Sequence, residues 1–224
     1  MSTVRDDPEN PDPGFADLYA SLPDAAALEP WLGWARGASG QVLYLGIGTG
    51  RIAVPLEREG IALVGVDAHP GMLEHARRRL QRAELVESRI EDLELGRTFD
   101  LVIVPSNILC TPARLAAAAR QLAPTGRLGF QLMNPHWLLA GASSHVSVVE
   151  MGREEAQIEV TYPNGTVQAA RVPLVWPEEI EDFLASEGLR LLRLDGEPDS
   201  GLDESATFYV LASKRLRRAQ MPST

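Results

Sequence analysis

Three glycines at alternate positions, Gly46, Gly48 and Gly50, set between two short apolar runs, constrain this chain more than any other feature. The first run, Val42 to Leu45, reads as a buried strand, and Ile61 to Val66, closing on Asp67, reads as a second. Between them Ile52, Ala53, Leu56 and Glu57 fall at helix spacing, and Gly60 stands where a helix stops. Strand, glycine turn, helix and strand make one βαβ unit, and its right-handed crossover leaves the two strands parallel and adjacent. Glycines in the turn let the backbone take positive φ and come close to a ligand. The helix start behind them offers unpaired N–H groups and partial positive charge. An acid at the tip of the second strand can accept two hydrogen bonds from a ribose diol. Residues 41–67 therefore describe a pocket for an adenosine-containing molecule.

Spacing separates the possible ligands. A dinucleotide fingerprint needs its third glycine at position 51, where Arg51 stands, so a nicotinamide oxidoreductase is disfavoured. "LGIGTGRIAVPL" followed by "GVDAHPGML" resembles two successive motifs of the class I S-adenosylmethionine (SAM) methyltransferases. The resemblance covers about residues 15–213. It implies an α/β fold, Rossmann-like and doubly wound, with a mostly parallel seven-stranded sheet. It also implies SAM as cofactor and a small-molecule acceptor that receives the methyl group on N or O. The alternative is a non-catalytic or degenerate protein of the same fold with weakened SAM affinity.

The same resemblance assigns the cofactor site residue by residue. Gly46, Gly48 and Gly50 form the floor, Asp67 with neighbouring Ala68 holds the ribose, and Pro105 lies at the carboxyl end of a later strand. Tyr19, from an N-terminal helix, either touches the ligand or merely packs that helix on the sheet. Tyr44 stands where the family usually carries an acid. Arg89 stands where another acid reads adenine, and an arginine accepts no hydrogen bond. Glu91 or Asp92 is the substitute there, and Ile90 offers backbone to the adenine ring. His69 either approaches the ribose or is solvated. Asn107, Asn134 and Trp137 are the substrate candidates, with a turn role open for Asn107. His136 is the candidate general base, since an imidazole titrates near neutrality, or else a structural loop histidine.

The remaining chain fits one domain. Residues 1–14, with Pro8, Pro11 and Pro13, read as a flexible leader, and helix pattern follows from Phe15 and again over 25–34, with Ser21 and Asp24 as caps. Alternation over 143–176, broken by the Asn164-Gly165 hairpin signal, reads as an inserted antiparallel β-meander over the active site. Residues 214–224 read as a basic tail. The net charge of −10 argues against a nucleic-acid partner. The single Cys110 supports no disulfide framework and reads as a buried thiol. No apolar run approaches a membrane span of ~18 residues. A cytoplasmic monomer or homodimer without a metal is the expectation.

Overall fold

The computed structural model describes residues 3–5, 11–198 and 200–215. Its elements in chain order begin with β1 (Thr3–Arg5), α1 (Pro13–Ser21), α2 (Trp31–Arg36), β2 (Val42–Leu45), α3 (Ala53–Arg58) and β3 (Leu63–Asp67). There follow α4 (Pro70–Arg79), β4 (Glu84–Glu87), β5 (Phe99–Val104), α5 (Pro112–Arg120), β6 (Leu122–Met133) and α6 (Pro135–Leu139). The last are β7 (Val146–Met151), β8 (Glu155–Thr161), β9 (Val167–Pro173), α7 (Ile180–Ser186), β10 (Leu189–Asp195) and β11 (Thr207–Lys214).

One local device starts α1, α4, α5 and α6. A polar residue immediately precedes a proline, as in Asp12-Pro13, His69-Pro70, Thr111-Pro112 and Asn134-Pro135, and its side chain accepts from a backbone N–H in the first turn. The proline supplies a preset φ and removes one unpaired donor; the side chain satisfies another.

The seven-stranded sheet runs β10-β11-β6-β5-β2-β3-β4. Strands β6, β5, β2, β3 and β4 are parallel, and β11 is antiparallel to both β6 and β10. Helices cover both faces. Leu43, Leu45, Val64 and Val66 enter one core with Phe130 and Leu184, while Val42, Tyr44 and Leu63 enter the other with Trp31, Trp34 and Leu73. Chain direction away from the starting strand reverses between β2 and β5, and the crevice beyond their carboxyl ends is where such sheets bind ligands.

A second, four-stranded sheet runs β1-β9-β8-β7. Its inner residues Ala156, Ile158 and Val172 close over Leu138 of α6, with Trp137 packed beside them. Strand β1 corrects the expectation of an unstructured leader. Thr3–Arg5 pairs in parallel with Val167–Ala169, and Val4 is buried with Phe15, Leu18 and Met72. Three residues are too few to show alternation in sequence, so only the tertiary contact reveals the strand. Residues 6–10 of that leader and 216–224 of the basic tail lie outside the described residues, while Lys214 ends β11.

The helix expected over 25–34 is also corrected. Leu22 is extended before Pro23, and helix resumes only at Trp31 after Pro30, because the residue before a proline avoids helical backbone. Neither expected cap serves as one. Ser21 donates to Leu18 O at the end of α1, and Asp24 pairs with Arg79 and Arg58; Glu29 instead accepts from Gly33 N at 3.0 Å.

Candidate functional site

Past Leu45 the chain turns on Gly46, Gly48 and Gly50, whose φ values are +72°, +57° and +84°. A side chain would be strained at each of these positions. At Gly46 a Cβ would also overlap Ile108 Cδ1, whereas at Gly48 the nearest atom would be Met72 Sδ at 4.0 Å, leaving an open face. The turn is fastened to β3, because Gly46 N and Ile47 N both donate to Val66 O, at 2.8 and 3.0 Å.

Asp67 lies directly across this turn. Its Oδ2 accepts from Gly48 N at 2.7 Å and its Oδ1 from His69 N at 2.9 Å. Burial pushes the carboxyl above its ordinary value, outweighing these backbone bonds and the His69 imidazole. The group is half-buried, and each oxygen retains a second lone pair for an incoming hydroxyl.

His69 is neither a ribose ligand nor solvated. Its Nδ1 accepts from Gly71 N at 3.1 Å and Met72 N at 3.4 Å, capping α4, while Nε2 lies 3.1 Å from Asp12 O. Two acceptor roles at Nδ1 and a carbonyl at Nε2 assign the neutral Nε2–H tautomer. The histidine thus links α1 to the helix that follows Asp67. Tyr19, on α1, packs tilted against Phe15 with ring centroids 4.6 Å apart, and its hydroxyl lies 3.4 Å from that of Tyr162. It joins helix to smaller sheet.

The loop after α1 docks behind the turn. Arg51 Nε donates to Pro23 O at 2.8 Å, Ala25 N donates to Arg51 O at 3.0 Å, and Arg79 donates to Thr49 O while pairing with Asp24. Tyr44 is buried beneath, and burial first, then the Asp67 charge, drive its phenol well above the usual range against a smaller opposing pull from Arg51. It is a neutral group at every ordinary pH.

On the side expected to hold adenine, Glu91 is tied to α5. Its carboxylate accepts from Arg114 Nε at 2.9 Å. Burial raises its pKa, but the Arg114 hydrogen bond and charge outweigh that and hold it low. The accepting oxygen is a strut to α5. Ile90 is buried in the main core, leaving only its backbone for a base. Pro105 is buried at the end of β5, and the loop after it is tight, with Ser106 N bonded to Val104 O and Ile108 N to Ser106 O. Asn107 Oδ1 accepts from Met133 N at 2.8 Å, tying this loop to β6 and leaving the amide Nδ2.

Asn134 is likewise corrected. It is fully buried, its Oδ1 accepts from His136 N, and its Nδ2 donates to Leu202 O at 2.7 Å and Ser205 O at 2.9 Å. Both amide hydrogens are committed, so Asn134 caps α6 and anchors the loop before β11 rather than touching substrate. Trp137 packs in the cluster between α6 and the smaller sheet. His136 points to Trp176, ring centroids 5.1 Å apart, with Nε2 3.1 Å from Glu178 Oε2. Backbone and His136 hydrogen bonds hold the Glu178 carboxyl below its ordinary value. No pattern in the sequence signals this His136–Glu178 pair, because its partners meet through the β6–α6 and β9–α7 corners. Among the described residues no cluster of His, Cys, Asp or Glu is arranged for a metal ion, and no helix is long and apolar enough to cross a membrane.

Comparison with known proteins points the same way. Residues 42–126 match the family model of a methyltransferase domain. A demethylmenaquinone methyltransferase from Tropheryma whipplei (strain Twist) is 34% identical over 97 residues, covering 41% of this chain and 41% of that protein. The chain thus spans about two fifths of the length of that relative. The CcbJ methyltransferase from Streptomyces caelestis superposes with a TM-score of 0.67 at 20% identity, covering 89% of this chain and 96% of that one. The glycopeptide N-methyltransferase MtfA complexed with sinefungin gives a TM-score of 0.66 at 18% identity, covering 95% and 92%. MtfA complexed with SAM gives 0.61 at 20%, covering 87% and 98%. With the alternate-glycine turn, the acid ending β3 and the antiparallel β11, this chain has the fold of the class I SAM-dependent methyltransferases.

Proposed function

We propose that this protein transfers a methyl group from SAM to a nitrogen or oxygen of a small-molecule acceptor. The observation that carries the reading is the Asp67 carboxylate, fixed by Gly48 N and His69 N at the tip of β3 beside the open face of Gly48. Two hydroxyls of a ribose can donate to its remaining lone pairs. Gly46, Gly48 and Gly50 form the floor, Ala68 follows the acid, and the backbone of Ile90 and Pro105 borders the base and the acceptor side. Bound SAM would supply an electrophilic methyl on a sulfonium. The chain's own task is then alignment, which can account for much of the acceleration of a displacement reaction.

For an acceptor that arrives protonated, His136 is the base. Glu178 holds Nε2, which leaves Nδ1 to take the proton. The Asn107 amide Nδ2 is placed to orient the acceptor, and Trp137 contributes to its wall through the inserted sheet. Small acceptors agree with the names of two similar proteins, a demethylmenaquinone methyltransferase and a glycopeptide N-methyltransferase. A net charge of −10 and a single cysteine suit a cytoplasmic protein without a nucleic-acid partner, as monomer or homodimer. The second reading, a binding protein with weakened SAM affinity, is favoured by two observations: Tyr44 is neutral and one Glu91 oxygen is taken by Arg114.

Thermal unfolding with ligand separates these readings. S-adenosylhomocysteine at about 100 times its Kd should raise the Tm by roughly 5–10 °C, since such binding contributes about 2.7 kcal/mol. NADH should leave it unchanged, and stabilisation by NADH alone would reject the proposal. His136→Gln should slow turnover of a hydroxyl acceptor about 100-fold or more, within the range for general-base loss, without altering that Tm shift. Ligand binding with no turnover across an acceptor panel would establish the second reading.

A further inference from the structure

We infer that the His69 imidazole is a pH-sensitive latch: neutral, it holds α1 closed beside the glycine turn, and protonation releases that helix. Helix α1 reaches the open face of Gly48 through Met72. Phe15, Ala16 and Leu18 pack around this methionine, whose Sδ is the atom nearest that face. The cluster is separate from both main cores, and β1, before α1, adds only its three-residue pairing with β9. After α1 the backbone is extended at Leu22, and Arg51 holds Pro23 O, which places a hinge at Leu22. A small satellite cluster beside a hinge is the kind of unit that opens more readily than the rest of a fold.

The latch is the seam between α1 and α4. His69 Nδ1 accepts from Gly71 N at 3.1 Å and Met72 N at 3.4 Å, and Nε2–H donates to Asp12 O, 3.1 Å away at the start of α1. A Cβ at Gly71 would lie 3.1 Å from His69 Cε1 and 3.2 Å from Ala16 Cβ, so the ring is wedged between the two helices. Histidine is the side chain whose charge ordinarily changes between about pH 5 and 8. A proton on Nδ1 would meet two N–H groups already aimed at it. Both bonds are then lost, and the ring leaves the seam and takes the Asp12 link with it. Among the described residues the charged groups facing the ring are Asp67 on β3, which accepts from His69 N, and Asp12, whose carboxylate serves Gly14 N and Arg5 N. Both carboxylates attract an imidazolium, but neither accepts from the ring in a described hydrogen bond, so neither replaces the lost bonds. One turn along, His75 Nε2 on α4 lies 3.2 Å from Asp17 Oδ1 on α1. Protonation there strengthens a pair and opposes release, but the Asp17 side chain is 78% exposed and such surface pairs contribute little. The seam therefore sets the sign: α1 is held above the imidazole titration and freed as pH falls through it.

Hydrogen exchange on the full chain without ligand tests this, whatever the pocket binds. Corrected for intrinsic exchange rates, protection of the α1 amides should fall at least about tenfold from about pH 8 to about pH 5.5, as loss of one or two hydrogen bonds predicts. Protection of α5 should change by less than about threefold over the same range. His69→Asn keeps a good cap for α4 but has no group to protonate. In that variant α1 should show, at both pH values, the low protection that wild type reaches only in acid. His75→Gln should keep the wild-type response. A flat wild-type profile would overturn the latch, and so would an equal fall in α5, which means global unfolding. A response that survives in His69→Asn belongs to Asp67 or another group, and one abolished by His75→Gln belongs to the Asp17 pair; either result overturns the assignment.

Discussion

Asp67→Ala should weaken S-adenosylhomocysteine by about 100-fold or more. Two hydroxyls donating to one carboxylate are charge-assisted bonds, and losing both corresponds to about 3 kcal/mol. Calorimetry on the folded variant reads this directly, and affinity within about threefold of wild type would refute the ribose role. The pH response has a defined sign. Because burial raises the Asp67 pKa above its ordinary value of 3.8, folding disfavours its ionised form. The group's contribution to stability is complete below that ordinary value and is lost as pH rises through the raised one. A diol donating to the carboxylate favours the ionised form. Affinity should therefore increase as pH rises through the raised value and level off above it, with protons released on binding in the lower part of that window. The Asp67→Ala variant should show neither the rise nor this proton release.

Glu57→Ala should be strongly destabilising although it lies outside the pocket. Glu57 is 8% exposed, near the end of α3. Its Oε1 accepts from Arg82 N at 2.8 Å and Ala83 N at 2.9 Å, and its Oε2 from Gln81 N at 3.0 Å. One carboxylate therefore satisfies three consecutive amides in the turn from α4 to β4, and Arg82 returns a bond to the Glu57 carbonyl. Orphaned buried donors cost about 1–3 kcal/mol each, and with partial hydration the total is about 3 kcal/mol. For a chain of this size that lowers Tm by roughly 6–12 °C. Burial raises the Glu57 pKa, yet the three backbone bonds and the Arg82 charge outweigh it, so the net shift is downward. Its stabilisation is present above the ordinary value of 4.5 and is lost as pH falls through the depressed one. The gap in stability between wild type and Glu57→Gln should accordingly narrow on acidification. A Tm drop below about 2 °C for Glu57→Ala would mean that solvent already serves those amides.

The parts of the site legible in sequence are those encoded locally. Gly46, Gly48, Gly50 and Asp67 sit within one βαβ unit, where a turn geometry and a strand tip fix their roles without help from distant residues. His136, Asn107 and Asn134 were legible as polar groups near strand ends, but not in their partners. Asn134 is consumed by Leu202 and Ser205, while the Asn107 carbonyl oxygen goes to Met133 and one Glu91 oxygen to Arg114, each from a separate part of the chain. Nothing in local pattern distinguishes a free amide from one whose hydrogens are committed across the fold. The β1 strand and the interrupted helix after Pro23 were missed for related reasons: one is three residues long, and the other carries apolar periodicity that its prolines override.

The sequence by itself determined the parallel βαβ heart, the alternate-glycine turn and the acid across from it, because backbone sterics and short-range hydrogen bonding act within a few residues. Only the tertiary structure decided which polar side chains remain available to a ligand. That depends on donors and acceptors brought together from residues tens of positions apart, and a buried polar group takes the first partner the packing supplies.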